Sequence, residues 1–100
     1  QSLNYVRLTD KQLNAPLKQA TLIGLSRRRG LIEVCETLPP YADIMLRLPP
    51  AQGGNQGPEV YAKVVCAIDE SEKRYLVHFT SIPSEAQASF DRLSEGVPGP

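Results

Sequence analysis

Short apolar runs with a period of two, each cut off by turn-forming residues, constrain this chain most. The clearest is "DIMLRL" (Asp43–Leu48), with Ile44, Leu46 and Leu48 on one face and Asp43, Met45 and Arg47 on the other. "RYLVHF" (Arg74–Phe79) puts Tyr75, Val77 and Phe79 on one face. "LIEVCE" (Leu31–Glu36) alternates likewise, with Ile32 and Val34 opposite Glu33 and Cys35. "LNYVRL" (Leu3–Leu8) and "VYAKVVCAI" (Val60–Ile68) read as further strands, while "LKQATLIGL" (Leu17–Leu25) has mixed periodicity. Between them stand the polar "TDKQLNAP", "RRRG", "LPPYA", the Pro/Gly loop Pro49–Pro58 and the charged hairpin "DESEK" (Asp69–Lys73). Gly30 suits the "RRRG" hairpin turn because it tolerates positive φ.

The period then changes. Ile82, Ala86, Phe90 and Leu93 form one stripe of a short helix over about 83–95. Pro83 fits its first turn, Ser84 and Gln87 have the spacing of a capping box, and Gly96 is a stop. Five or six antiparallel strands followed by one helix predict an all-β-dominated fold. A small sheet hides its edges best by closing, so a small antiparallel β-barrel of about six strands with a C-terminal helix is expected. It forms a single domain over 1–96, with 97–100 as a tail or linker. A chain of 100 residues agrees with one domain.

No apolar run is long enough to cross a bilayer as a helix, and the N-terminus lacks a signal-peptide pattern, so direct membrane insertion is not expected. Cys35 and Cys66 are too few for a disulfide scaffold and lack metal-ligand spacing. They read as reduced, half-buried thiols in a cytoplasmic protein, or in the cytoplasmic part of a larger one. The formal net charge of zero hides a polarity. Residues 1–30 carry +5 and the remainder −5. Either the first third meets an anionic partner, or the two parts neutralise each other in the fold.

Signals of catalysis are weak. His78 lies alone inside a strand and reads as a packing or surface residue. Glu33 and Glu36 fall on opposite faces, and "DESE" lacks the ligand alternation of a calcium loop. The chain is not expected to be an enzyme, and no metal or cofactor is implied. The chemistry concentrates in "GLSRRRG" (Gly24–Gly30). Arginine presents a planar fork of donors that grips phosphate oxygens and stacks on bases. Arg27, Arg28 and Arg29, with the Ser26 hydroxyl and the small Gly30, are either a solvated turn or a pocket for a phosphate-bearing ligand.

The order of parts is informative. Strand, "LSRRRGL", strand, "LPPYADIMLRLP", Pro/Gly loop, "VYAKVVCAID", hairpin and "RYLVHFTSIPSEAQASFDRL" together resemble the PilZ domain. The resemblance runs from about Thr21 to Leu93. It implies a bacterial signalling module whose family role is binding the second messenger cyclic di-GMP. The family's D/N-x-S-x-x-G motif would fall on Gly24–Gly30, with Ser26 as its serine. Gly24 replaces the acid or amide, and Gly30 comes one residue late. The accompanying R-x-x-x-R motif is absent as written, and Arg7 is the nearest residue to it.

The resemblance thus implies a nucleotide site made of Arg7, Ser26, Arg27, Arg28, Arg29 and Gly30, with two of its usual parts altered. Net contributions run to about 1.5–3 kcal/mol for each hydrogen bond to a charged group, so losing two or three weakens binding by orders of magnitude. The leading expectation is a PilZ-like regulatory domain with weak or absent cyclic di-GMP binding. It would act through a protein partner or a covalently attached domain. A functional cyclic di-GMP receptor is the first alternative. A small-barrel nucleic-acid binder is the second, and it is disfavoured by zero net charge and by the lack of aromatics among the arginines.

Overall fold

The computed structural model describes residues 2–8, 17–49 and 57–96. Six strands close into a barrel: β1 (Ser2–Arg7), β2 (Lys18–Leu25), β3 (Arg29–Glu33), β4 (Asp43–Arg47), β5 (Glu59–Asp69) and β6 (Arg74–Ser81). One helix, α1 (Ser84–Gly96), follows. All pairings are antiparallel, in the order β1-β2-β3-β6-β5-β4, and β4 returns to β1 through Val6↔Met45 and its neighbours. The expected fold class is the observed one. The tail at 97–100 and most of the Pro/Gly loop, residues 50–56, lie outside the described residues.

The period-two faces become the barrel interior. Tyr5, Ile32, Ile44, Leu46, Val60, Val64 and Val77 are its largest fully buried side chains. Each such aliphatic contributes about 1.5–3 kcal/mol on burial, which drives closure. The mixed periodicity of β2 has a specific cause. Its register against β3 shifts between Leu22 and Gly24, so Ala20 and Leu22 point inward and, past the irregularity, Leu25 is buried too. Met45 departs from expectation, being buried although it alternates away from the core cluster. Its cross-strand partners Val6 and Tyr61 flank it there.

Helix α1 packs by the predicted stripe. Ala86 and Phe90 are buried, and Ile82 and Leu93 pack partly buried against the core. The Phe90 ring meets Phe79 edge-on, with centroids 5.0 Å apart. The capping box does not form. The Gln87 amide donates along the helix to Asp91 Oδ1 at 3.0 Å instead of reaching back to Ser84. Both cysteines are exposed, not half-buried, because Cys35 lies past the end of β3 and Cys66 on the outer side of β5.

Candidate functional site

The β2–β3 hairpin closes at the pair Leu25↔Gly30. Ser26 N–H donates to the Arg29 carbonyl at 2.8 Å, and the Ser26 hydroxyl donates to the same oxygen at 3.3 Å. Ser26 therefore serves the turn itself. The Arg28 carbonyl accepts from Phe79 N–H at 2.8 Å, which pins the turn to β6. Backbone bonds hold the corner, and the arginine side chains are left to solvent. Arg27, Arg28 and Arg29 are all exposed.

Gly30 is buried, and its φ is not in the positive range. The turn does not use glycine's conformational freedom, contrary to expectation. A Cβ at Gly30 would lie 3.1 Å from Phe79 Cζ and 3.3 Å from Phe79 Cε2, so the position is small to admit a ring. Arg29 already belongs to β3, where it faces His78 in register. His78 in turn faces Lys63.

Arg27 and Arg28 line a groove of about 360 Å³ with Ile82 and Gln87. The groove runs between the hairpin turn and the start of α1. None of the three turn arginines has an ion-pair partner among the described residues. Five other cations are matched: Arg7 and Lys18 with Glu36, Arg47 with Glu59, Arg74 with Glu33, and Lys63 with Asp43, while Lys73 and Arg92 have no ion-pair partner among the described residues. The two readings of the charge polarity thus divide the molecule. Arg7 and Lys18 are neutralised within the fold, and the turn is not.

Arg7 does not join the turn. β1 starts opposite Thr21 and runs away from the hairpin, so that Tyr5 faces Lys18 at the far end of β2. Along β2 that is about 23 Å from Leu25 at ~3.3 Å per residue. At that far end Arg7 Nη1 stands 3.7 Å from Glu36 Oε1, and Lys18 Nζ donates to Glu36 Oε2. The Tyr5 hydroxyl is buried close to this carboxylate, without a hydrogen bond of good geometry. Burial first, and the Glu36 charge second, push the tyrosine's pKa up. At Glu36 partial burial acts upward, but Lys18, Tyr5 and Arg7 outweigh it and hold the carboxyl below its ordinary value.

The remaining sequence candidates stay apart. Arg74 Nε donates to Glu33 Oε2 at 2.8 Å. Asp69 accepts from Ser71 and Glu72 within its own turn. No group of three or more metal-ligating side chains occurs among the described residues. Sequence reasoning missed the parts of the groove supplied by Ile82 and Gln87. Their signal was present, since both sit in the first helical stripe and turn after β6, but only closure of the barrel brings them to the arginines. Gly24 is buried in β2 and offers no side chain beside the turn. Comparison of the chain with protein-family models, curated proteins and solved structures finds no match.

Proposed function

We propose that this chain is a PilZ-like regulatory domain whose arginine turn docks on an acidic surface of a protein partner or an attached domain, with weak or absent binding of cyclic di-GMP. One observation carries this reading. Arg27, Arg28 and Arg29 are exposed without a carboxylate partner among the described residues, whereas Arg7, the other cation of the resembled site, is engaged by Glu36 at the opposite end of the barrel. Three guanidiniums on a turn held by backbone hydrogen bonds form a fixed cationic surface, which favours rapid, salt-sensitive association with an anionic one. A dinucleotide with two phosphates and two guanines asks for more: a second basic group and an acceptor at Gly24, and among the described residues neither faces the turn.

A photocrosslinking probe at Ser26, used in cells that express the protein, tests the reading. Crosslinking to an acidic protein surface that disappears in the Arg27/Arg28/Arg29→Ala variant supports it. An unchanged crosslinking pattern in that variant removes the turn from the account.

The groove favours one second reading. Its volume of about 360 Å³ falls within the usual range for small-molecule sites, so a cyclic dinucleotide could rest a phosphate on Arg27 and Arg28. Saturable binding at micromolar cyclic di-GMP, lost in the triple variant, selects this second reading over the first. Nucleic-acid binding gains no such support, because none of the groove's lining residues offers a ring for a base to stack on.

A further inference from the structure

The barrel is closed, yet one stretch of strand edge is open. β4 pairs with β5 only from Arg47↔Glu59 to Asp43↔Lys63, although β5 continues to Asp69. One step further on, the loop before β4 takes over: Tyr41 N–H donates to the Val64 carbonyl at 2.7 Å and Val64 N–H donates to the Ala42 carbonyl at 2.8 Å. There the ladder stops. The loop residues next in line are Pro40 and Pro39, which have no N–H to donate. Among the described residues, Val65–Ile68 therefore meet β6 on one side, where Cys66 pairs with Leu76 and Ala67 with Tyr75 while Val65 and Ile68 fall at register shifts, and no strand on the other.

A groove of about 550 Å³ runs along this edge between Thr37–Pro40 and β5, with Tyr75 and Glu70 also lining it. Its far wall is fixed in place. Leu38 N–H donates to the Tyr75 hydroxyl at 3.0 Å, and Ala42 N–H to the Pro39 carbonyl at 3.3 Å. The exposed Val65 lines the groove, and two further exposed large hydrophobics, Tyr41 and Ile68, directly follow the lining residues Pro40 and Ala67 in sequence. Tyr41 is 72% exposed and holds φ at 64°, a conformation a bulky residue adopts only when its surroundings impose it. Glu70 is the charged residue of the lining, and it has no ion-pair partner among the described residues.

We propose that the open edge Val65–Ile68, with the groove under Thr37–Pro40, takes an extended peptide segment of a protein partner as an added strand, apolar at alternate positions and basic where it meets Glu70. Unpaired strand N–H and C=O groups template a further strand, and side-chain pockets beside the edge supply the sequence preference. Four residues of edge span about 13 Å, enough for a short motif. The groove walls favour a single strand over a second barrel, whose own Thr37–Pro40 loop would stand in the way. The charge of Glu70 selects a lysine or arginine on the incoming segment. This site lies toward the β5–β6 turn, away from the arginine turn, and does not depend on the function proposed above.

The test uses the intact chain and a displayed library of random peptides, from which the strongest binder is synthesised. The peptide is expected to alternate apolar residues and to carry a basic residue. Its affinity should fall about tenfold or more for Val65→Lys and for Ile68→Lys, two exposed positions where a lysine blunts an edge. Glu70→Gln should weaken it less and reduce its salt dependence. The Arg27/Arg28/Arg29→Ala variant should bind it unchanged, which separates this site from the arginine turn. N-methylation of alternate peptide amides should abolish binding, and this arm leaves the protein untouched. A library that yields no binder overturns the proposal. So does a peptide whose binding survives both lysine variants and N-methylation. A concentration-dependent dimer lost in Ile68→Lys also overturns it, because the edge then belongs to a second copy of the chain.

Discussion

Gly30 lies beneath the ring of Phe79, so close that a Cβ at residue 30 would stand 3.1 Å from Cζ. The same Phe79 donates its N–H to the Arg28 carbonyl and receives Phe90 of α1 edge-on. One residue thus links the arginine turn, β6 and the helix. The position of the groove between Arg27, Arg28 and Gln87 follows from that link.

Gly30→Val should destabilise the fold by about 1–3 kcal/mol, the usual penalty for overpacking a core. Phe79 cannot yield easily, since it is itself buried against Phe90. Urea unfolding measures the loss. Combining the change with Phe79→Leu should recover part of it, because the two residues share one volume. Purely additive losses would show that the contact with Phe79 is not the cause.

Phe90→Ala should cost about 3–5 kcal/mol, the range for emptying a buried aromatic site. It removes the larger of the two buried side chains of α1. The amides of Ile82 and Gln87 should then shift in NMR spectra together with those of Arg27 and Arg28. Spectra of the arginine turn that stay unchanged would mean that α1 does not set the groove.

Stability should carry an acid limb that belongs to Glu36. Despite partial burial, its carboxyl is held below the ordinary carboxylate value in the folded chain, chiefly by Lys18, so its contribution is fully present above that ordinary value. The contribution is lost as pH falls through the lowered folded value. Urea midpoints measured from about neutral pH downward should fall in that window, and Glu36→Gln should flatten this part of the curve. An identical acid limb in the variant would assign it to other carboxylates.

Most strands were legible because they rest on local alternation, and the helix because Ile82, Ala86, Phe90 and Leu93 recur at helical spacing, both of which one sequence displays. Tyr75, Val77 and Phe79 read as an inward face, and they are one. What was not legible depends on partners distant in sequence. Arg7 resembles a ligand residue until β1 is seen running away from the hairpin toward Glu36. Gly30 reads as a turn glycine until Phe79, far along the chain, closes over it. The capping box fails because Gln87 finds Asp91, an equally local choice that spacing alone does not decide. The open edge of β5 is foreshadowed by "LPP", but only the barrel's closure puts those prolines beside Val65–Ile68.

Replacing Arg27, Arg28 and Arg29 together by alanine should change stability by no more than about 0.5 kcal/mol, as for exposed sites without specific partners. The melting temperature of the triple variant checks this. A large drop would mean that the arginines hold the turn together, a role that Ser26, Arg29 and Phe79 backbone bonds fill in the present account.

Calorimetric titration of the intact chain with cyclic di-GMP, alongside the triple arginine variant, tests the central claim most directly. No saturable heat at micromolar ligand is expected from either protein, because among the described residues the turn has neither the second basic group nor an acceptor at Gly24. Saturable micromolar binding by the native chain that the variant loses would contradict it and make the arginine turn a nucleotide receptor.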